Sequence, residues 1–374
     1  MNILITVNAA WNIWNFRRPL VEALIADGHH VTVLAPRDDS VEALEDLGCR
    51  YLPLDMSVKG LNPLQDFKLL RRFKRVFRAE QPNAILSYTI KNNIFGAMAA
   101  ESCNIPFIPN VTGLGTAFLS GGVLQAVAEG LYRKAFGSLS CVFFQNSDDR
   151  DLFLERSLVR HGQAQVLPGS GIDLQRFSPA EYSPQTSGLV FLMIARVLRD
   201  KGVEEYVAAA RSVKATSPHT RFQLLGAIDA ANRTAINGAT VKSWQDDGSI
   251  EYLGTADDVR PHIAAAHCVV LPSYREGAPR TLIEAAAMAR PLIATDVPGC
   301  RSVVDDGISG LLCEARSGES LAAACLEFLA LPHAQRSKMG REGRAKMEAE
   351  YDEAFVIKAY RKEIGELTVP EAQV

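Results

Sequence analysis

The chain has 374 residues, 47% of them apolar and 22% charged, with a net charge of −3. That length exceeds one ordinary core and predicts two domains of about 170–200 residues. The balanced charge gives no general affinity for nucleic acid, the seven scattered cysteines show no zinc-finger or redox spacing, and no apolar run reaches the ~18 residues of a spanning helix. MNILITV reads as a strand rather than a signal peptide, so a cytosolic setting with reduced thiols is expected.

In chain order, Asn2–Val7 is a buried-type strand and Asn8–Asn15 a loop with two tryptophans. Phe16, Leu20, Ala23 and Leu24 predict a helix over Phe16–Asp27 that Gly28 ends, ahead of a strand at Val31–Ala35. The alternation continues through Val41–Leu47, Tyr51–Leu54 and a helix at Leu64–Glu80. Strands at Ala84–Tyr88 and Phe107–Val111 flank a helix at Ile94–Ser102. Leu124–Phe136 is helical, Cys141–Gln145 a strand, Asp148–Leu154 a helix, and Val166–Leu167 precedes PGSGIDLQRFSP. This predicts a doubly wound α/β half with a parallel sheet.

Ala180–Gly188, rich in Ser, Pro, Gly and Thr, reads as a linker. After it the pattern restarts: strands at Leu189–Ala195, Arg221–Leu225, Ile250–Leu253, Cys268–Leu271 and Leu292–Thr295, with helices at Val203–Ala215, Ala231–Gln245, Val259–Ala266 and Thr281–Met288. Helices at Leu321–Ala330, Arg336–Ala349 and Asp352–Glu366 close the chain. The expected domains are 1–180 and 188–350, the last helix (352–366) returning to the first.

The stretch CVVLPSYREGAPRTLIEAAAMARPLIATDVPGCRSVVDDGISGLLC, from Cys268 to Cys313, concentrates chemistry. Glu276 sits in the loop after a strand, and Glu284 in what reads as the first turn of the following helix. The free N–H groups of Ala278, Arg280 and Thr281 suit a phosphate, while carboxylates suit sugar hydroxyls. Taken alone, the pair is better read as a solvated loop charge and a favourable first-turn acid. Arg196 and Lys201, in the turn after Leu189–Ala195, would stand at the same sheet edge and suit a diphosphate leaving group.

These motifs together resemble the retaining glycosyltransferases of family GT4, whose GT-B fold has two facing doubly wound domains and an interdomain cleft. The resemblance rests on Glu276 and Glu284, on Arg196 and Lys201-Gly202, on GIDLQRFSP (Gly171–Pro179), on the Gly-rich loop Val297–Leu312 and on Gly28–Val31. It implies that Glu284 holds ribose hydroxyls of a nucleotide sugar, that Glu276 holds the transferred sugar, and that Arg196 and Lys201 neutralise the departing diphosphate. Leu253, Gly254 and Thr255 would meet the base, and Gly277 would join the helix start around the phosphates. No metal and no further cofactor are implied, because two cations and a helix N-terminus can hold the leaving charge.

The chain departs from the family at Asn8–Trp11, where Gly-Gly is usual, after Phe107–Val111, where a His is usual, at Ala289 (usually Gly) and at Ser302 (usually Glu). The incomplete Gly113-Leu114-Gly115 is not a dinucleotide fingerprint. FRRP (Phe16–Pro19) and KNN (Lys91–Asn93) resemble members acting on undecaprenyl-diphosphate-linked sugars, which implies acceptor contacts at Asn15, Arg17, Lys91, Thr112 and Gly113.

From Lys59 to Arg78 there are seven basic residues against one acid, Asp66. Phe67, Leu70, Phe73 and Phe77 are expected to form an inward stripe, with Lys68, Arg71, Arg72, Lys74, Arg75 and Arg78 facing an anionic membrane surface. The expected protein is a peripheral, inner-face transferase taking a UDP-sugar to a polyprenyl-diphosphate-linked glycan. Rival readings are a transferase with a soluble acceptor, a UDP-N-acetylglucosamine 2-epimerase-type isomerase, and a non-catalytic lipid-carrier-binding subunit.

Overall fold

The computed structural model describes residues 1–57, 62–114, 122–182, 188–228, 232 and 234–367. Lys59, Gly115, the middle of the expected linker (183–187) and Ala231 lie outside these. The chain divides into two compact units, Met1–Gly171 with the helix Glu353–Glu366, and Ile172–Asp352. The stretch from Ile172 to Ala180 therefore belongs to the second unit. Among the described residues no helix is long and apolar enough to cross a membrane.

In the first unit, strands β1 (Asn2–Thr6), β2 (His30–Ala35), β3 (Arg50–Pro53), β4 (Ala84–Tyr88), β5 (Phe107–Val111), β6 (Val142–Phe144) and β7 (Ala164–Val166) form a parallel sheet in the order β3-β2-β1-β4-β5-β6-β7. Alternate residues of β1 feed opposite cores. Leu4 joins Phe73, Phe77, Ile85 and Phe136 on one face, while Ile3 and Ile5 join Leu20, Leu86, Tyr88 and Tyr360 on the other. The last helix enters this second core through Tyr360, whose ring lies 4.9 Å from Phe143 and whose hydroxyl accepts from Asn110 Nδ2 at 3.1 Å.

Two local expectations fail in this unit. The tryptophan segment is a helix, Ala10–Phe16, directly followed by Arg18–Ala26, because Ala10 and Ile13 bury one side of it. In the helix Pro63–Glu80 the inward residues are Asp66, Leu69, Phe73 and Phe77, whereas Phe67 faces solvent. Asp66 tolerates burial because Lys91 Nζ lies 2.8 Å from its Oδ1. Phe73 and Phe77 stay inward, and at the helix start Asp66 and Leu69 take the inward positions in place of Phe67.

In the second unit, β8 (Val190–Ile194), β9 (Arg221–Leu225), β10 (Glu251–Tyr252), β11 (Cys268–Leu271), β12 (Leu292–Thr295) and β13 (Gly310–Cys313) run in the order β10-β9-β8-β11-β12-β13, again parallel. The strand β13 and the short helix Cys300–Val303 replace what reads in sequence as one Gly-rich loop. Between β9 and β10 the helix spans Gly238–Asp246, shorter than the expected Ala231–Gln245. Arg290 is fully buried and donates to the carbonyls of Ala180, Glu181, Ile263 and Ala264, at 2.9, 2.7, 3.1 and 2.8 Å. This fastens the segment after Phe177 to the unit without an acid partner for the guanidinium among those contacts.

Candidate functional site

The strand order of the second sheet reverses between β8 and β11, and a crevice outside the carboxyl ends of the strands is expected there. Two loops meet at that point. Arg199–Lys201 forms a 3-10 turn ended by Gly202 at φ +75°, and a Cβ on Gly202 would lie 2.0 Å from the Pro272 carbonyl oxygen. Only glycine allows this approach, which brings Lys201 beside the loop after β11. The Tyr274 N–H donates to Asp200 O at 3.0 Å and locks the two loops together.

Lys201 Nζ lies 2.5 Å from Glu276 Oε1, with both side chains mostly buried. Ser273 Oγ donates to the same oxygen at 2.5 Å. A third loop closes the site from β12: Gly299, at φ +82°, would place a Cβ 2.6 Å from the carbonyl oxygens of both Glu276 and Gly277. Tyr274 is held from behind, its hydroxyl donating to Glu205 Oε1 at 2.7 Å and its ring 4.8 Å beneath the Arg316 guanidinium. Ser273, Gly299 and Tyr274 were not singled out in the sequence. Pro272-Ser273 there reads only as a strand end, and no local signal reports a hydroxyl aimed three residues ahead.

The helix Arg280–Ala287 begins behind Pro279, which offers no side-chain cap. Glu284 is its fifth residue, one turn deeper than the expected first-turn position. Its side chain is 12% exposed and its Oε1 accepts from Arg280 Nε at 2.9 Å. Burial raises its pKa above the ordinary glutamate value, with Arg280 and Arg176 pulling the other way. Such a carboxylate is costly to keep charged and partly paired, and it has a second oxygen for a ligand's hydroxyls.

The remaining sites on this unit come together at the same sheet edge. Arg196 is exposed just after β8, and Leu253, Gly254 and Thr255 follow β10. Gly254 O accepts the Gly226 N–H at 2.7 Å, tying the loops after β9 and β10. Ala278, Gly277 and Thr281 line the turn into the helix and are half-buried. Among the described residues no three His, Cys, Asp or Glu side chains gather as metal ligands.

In the first unit the expected acceptor residues are split. Asn15 is exposed and its amide donates to Trp11 O at 3.0 Å; Thr112 and Gly113 are half-buried just beyond β5. Arg17 is buried, its guanidinium 4.5 Å over the Tyr88 ring and its Nη1 donating to Phe16 O at 2.9 Å. Lys91 is half-buried in its pair with Asp66 rather than a free surface cation. Of the six cations expected to face a membrane, Lys68, Arg71, Arg75 and Arg78 are exposed, Lys74 is half-buried, and Arg72 is drawn to Asp55.

The chain matches two family models, "Glycosyl transferase 4-like domain" over residues 13–169 and "Glycosyl transferases group 1" over residues 188–330. Among curated proteins, the Campylobacter jejuni N,N'-diacetylbacillosaminyl-diphospho-undecaprenol alpha-1,3-N-acetylgalactosaminyltransferase is 26% identical across 97% of this chain and 98% of its own length. The Escherichia coli UDP-Gal:alpha-D-GlcNAc-diphosphoundecaprenol alpha-1,3-galactosyltransferase is 23% identical across 77% and 74%. Among solved structures, sucrose-phosphate synthase from Thermosynechococcus elongatus superposes with a TM-score of 0.81 at 22% identity, covering 98% of this chain and 99% of that one. Anabaena Alr3699/HepE, in complex with UDP and glucose, superposes with a TM-score of 0.75 at 16% identity over 98% and 99%. At those identities the structures establish a shared fold, the GT-B fold with its two doubly wound domains.

Proposed function

We propose that this chain, which belongs to the group 1 glycosyl transferases with a glycosyl transferase 4-like first domain, moves a hexose or N-acetylhexosamine from a UDP-sugar to a polyprenyl-diphosphate-linked saccharide, with retention at the anomeric carbon. The observation that carries the reading is the meeting of Lys201, Glu276 and Ser273 at the switch point of the second sheet, beside the start of the helix Arg280–Ala287 and Glu284. The activities of the Campylobacter and Escherichia relatives supply the acceptor class, and the latter supplies the UDP donor.

Each residue has a role in this reading. Glu284 accepts from ribose hydroxyls, and Leu253, Gly254 and Thr255 bound the base. Arg196, Lys201 and the N–H groups of Ala278, Arg280 and Thr281 take the diphosphate charge. Glu276 and the Gly277 backbone hold the sugar being moved. The acceptor hydroxyl bonds to the anomeric carbon as the bond to the diphosphate oxygen breaks, and that leaving oxygen takes both the electron pair and the acceptor's proton. No protein base is required. Asn15, Lys91, Thr112 and Gly113 meet the acceptor, and Arg17 acts through the Tyr88 ring it covers. The protein works at the inner face of the cytoplasmic membrane, where the cations of Pro63–Glu80 meet anionic headgroups.

The test is incubation with a panel of UDP-sugars and a short-chain prenyl-diphosphate glycan. Release of UDP and a glycan longer by one sugar are expected, with the starting anomeric configuration kept and activity unchanged by EDTA. UDP release without glycan extension in the presence of acceptor would instead favour the isomerase, which shares the donor site. Activity that vanishes with EDTA and returns with Mg²⁺ would defeat the metal-free mechanism.

A further inference from the structure

The helices Pro63–Glu80 and Gly122–Phe136 both bury residues in the same core of the first unit, Phe73 and Phe77 from one, Tyr132 and Phe136 from the other. Each lies between parallel strands, β3 and β4 for the first, β5 and β6 for the second. Both helices therefore run antiparallel to the sheet, and both begin at its carboxyl edge. There each presents large apolar side chains to solvent. Leu64 is 76% and Phe67 59% exposed; Val123 is 82% and Val127 50% exposed, with Leu124 partly exposed beside them. The spacings 64/67 and 123/127 put each pair on one stripe of its helix.

Cations follow further along both helices, Lys68, Arg71, Arg75 and Arg78 on the first and Arg133 and Lys134 on the second, all exposed. At a rise of 1.5 Å per residue, Arg71 stands about 6 Å and Arg75 about 12 Å behind Phe67 along the axis. Apolar tips first and guanidinium groups behind them match the depth profile of an anionic leaflet, from the acyl boundary out to the phosphates. A second copy of this chain would set these cations against their own kind, which disfavours self-association through the same surface.

We infer that the starts of these two helices insert together into an anionic lipid leaflet, Leu64, Phe67, Val123 and Val127 entering the acyl boundary while the cations behind them meet the phosphates. The inference rests on the membrane-linked acceptor proposed above only for a reason to be at a bilayer. It extends that reading from charge attraction by one helix to apolar insertion by two.

The full chain is floated with acceptor-free vesicles of phosphatidylcholine and phosphatidylglycerol. Two paired variants, Leu64→Asp with Phe67→Asp and Val123→Asp with Val127→Asp, keep every cation and alter only exposed positions. Each pair is expected to weaken partitioning about tenfold or more with an unchanged Tm. Phe67→Trp and Val127→Trp should each add an emission quenched by lipids brominated on the acyl chain. Vesicle binding equal to that of the unaltered chain, or added tryptophan emission untouched by acyl bromine, would overturn insertion. So would a concentration-dependent dimer in lipid-free buffer that the same variants abolish. Insertion without any glycosyl transfer would refute the proposed function and leave this surface standing.

Discussion

Glu276→Gln should make the protein bind UDP more tightly while it transfers sugar more slowly. In the free protein the Glu276 carboxylate lies 2.5 Å from Lys201 Nζ, and that ammonium is one of the cations assigned to the diphosphate. A phosphate oxygen accepting from the same Nζ would lie about 5 Å from the carboxylate oxygen. Two negative charges at that separation repel by about 1.5–3 kcal/mol at an effective dielectric of about 20–40. Replacing the carboxylate by an amide of the same shape removes that repulsion and leaves an oxygen for the Ser273 hydroxyl. Isothermal titration with UDP alone should therefore show about tenfold to hundredfold tighter binding. Turnover of the UDP-sugar should fall by about tenfold or more, because hydrogen bonds from sugar hydroxyls to a charged acceptor are lost. Equal UDP affinity in the two proteins would mean that the phosphates do not reach Lys201. Weaker UDP binding would mean that Glu276 orients the ammonium for phosphate rather than competing for it, and either result refutes the reasoning.

Glu284→Ala should weaken UDP binding by about 1.5–3 kcal/mol, the range for a hydrogen bond to a charged group, as read by titration. Because burial raises the Glu284 pKa, UDP affinity should begin to fall at a higher pH than an ordinary glutamate would dictate, and Glu284→Gln should lose that pH dependence. Ala289, at φ +57°, holds a left-handed conformation after the helix Arg280–Ala287, so Ala289→Gly should stabilise the fold by about 1 kcal/mol in urea unfolding. His267 Nδ1 accepts the Val190 N–H at 3.1 Å, and burial with Arg336, Arg290 and His333 nearby lowers its pKa. The fold binds fewer protons there than the unfolded chain, so stability is present above the ordinary value of 6.5 and is lost as pH falls from there through the lowered pKa. Urea midpoints measured between pH 7.5 and about 5 should fall more steeply for the natural chain than for His267→Gln.

Period and punctuation were enough to read the alternation of strands and helices. β8, β11 and β12 are continuous apolar or β-branched runs, which is what strands covered on both faces require. Residue types at the turns after strands also marked Lys201, Glu276 and Glu284, since a parallel sheet puts every such turn at one edge. Other features depended on partners distant in the chain. Asp66 can lie inward at the start of the helix Pro63–Glu80 because Lys91, 25 residues on, pairs with it, while Phe67 faces out. β13 exists because Gly310 can lie against the Leu292 carbonyl, where a Cβ would stand 2.3 Å away. The Lys201–Glu276 contact spans 75 residues and depends on Gly202 and Gly299 allowing backbone to approach backbone. The sequence alone determined which groups stand at the carboxyl edge of the second sheet, because strand direction follows from local pattern. Only the tertiary structure decided that Lys201 and Glu276 meet there with Ser273 between strand and loop, because that depends on close packing between segments no local pattern connects.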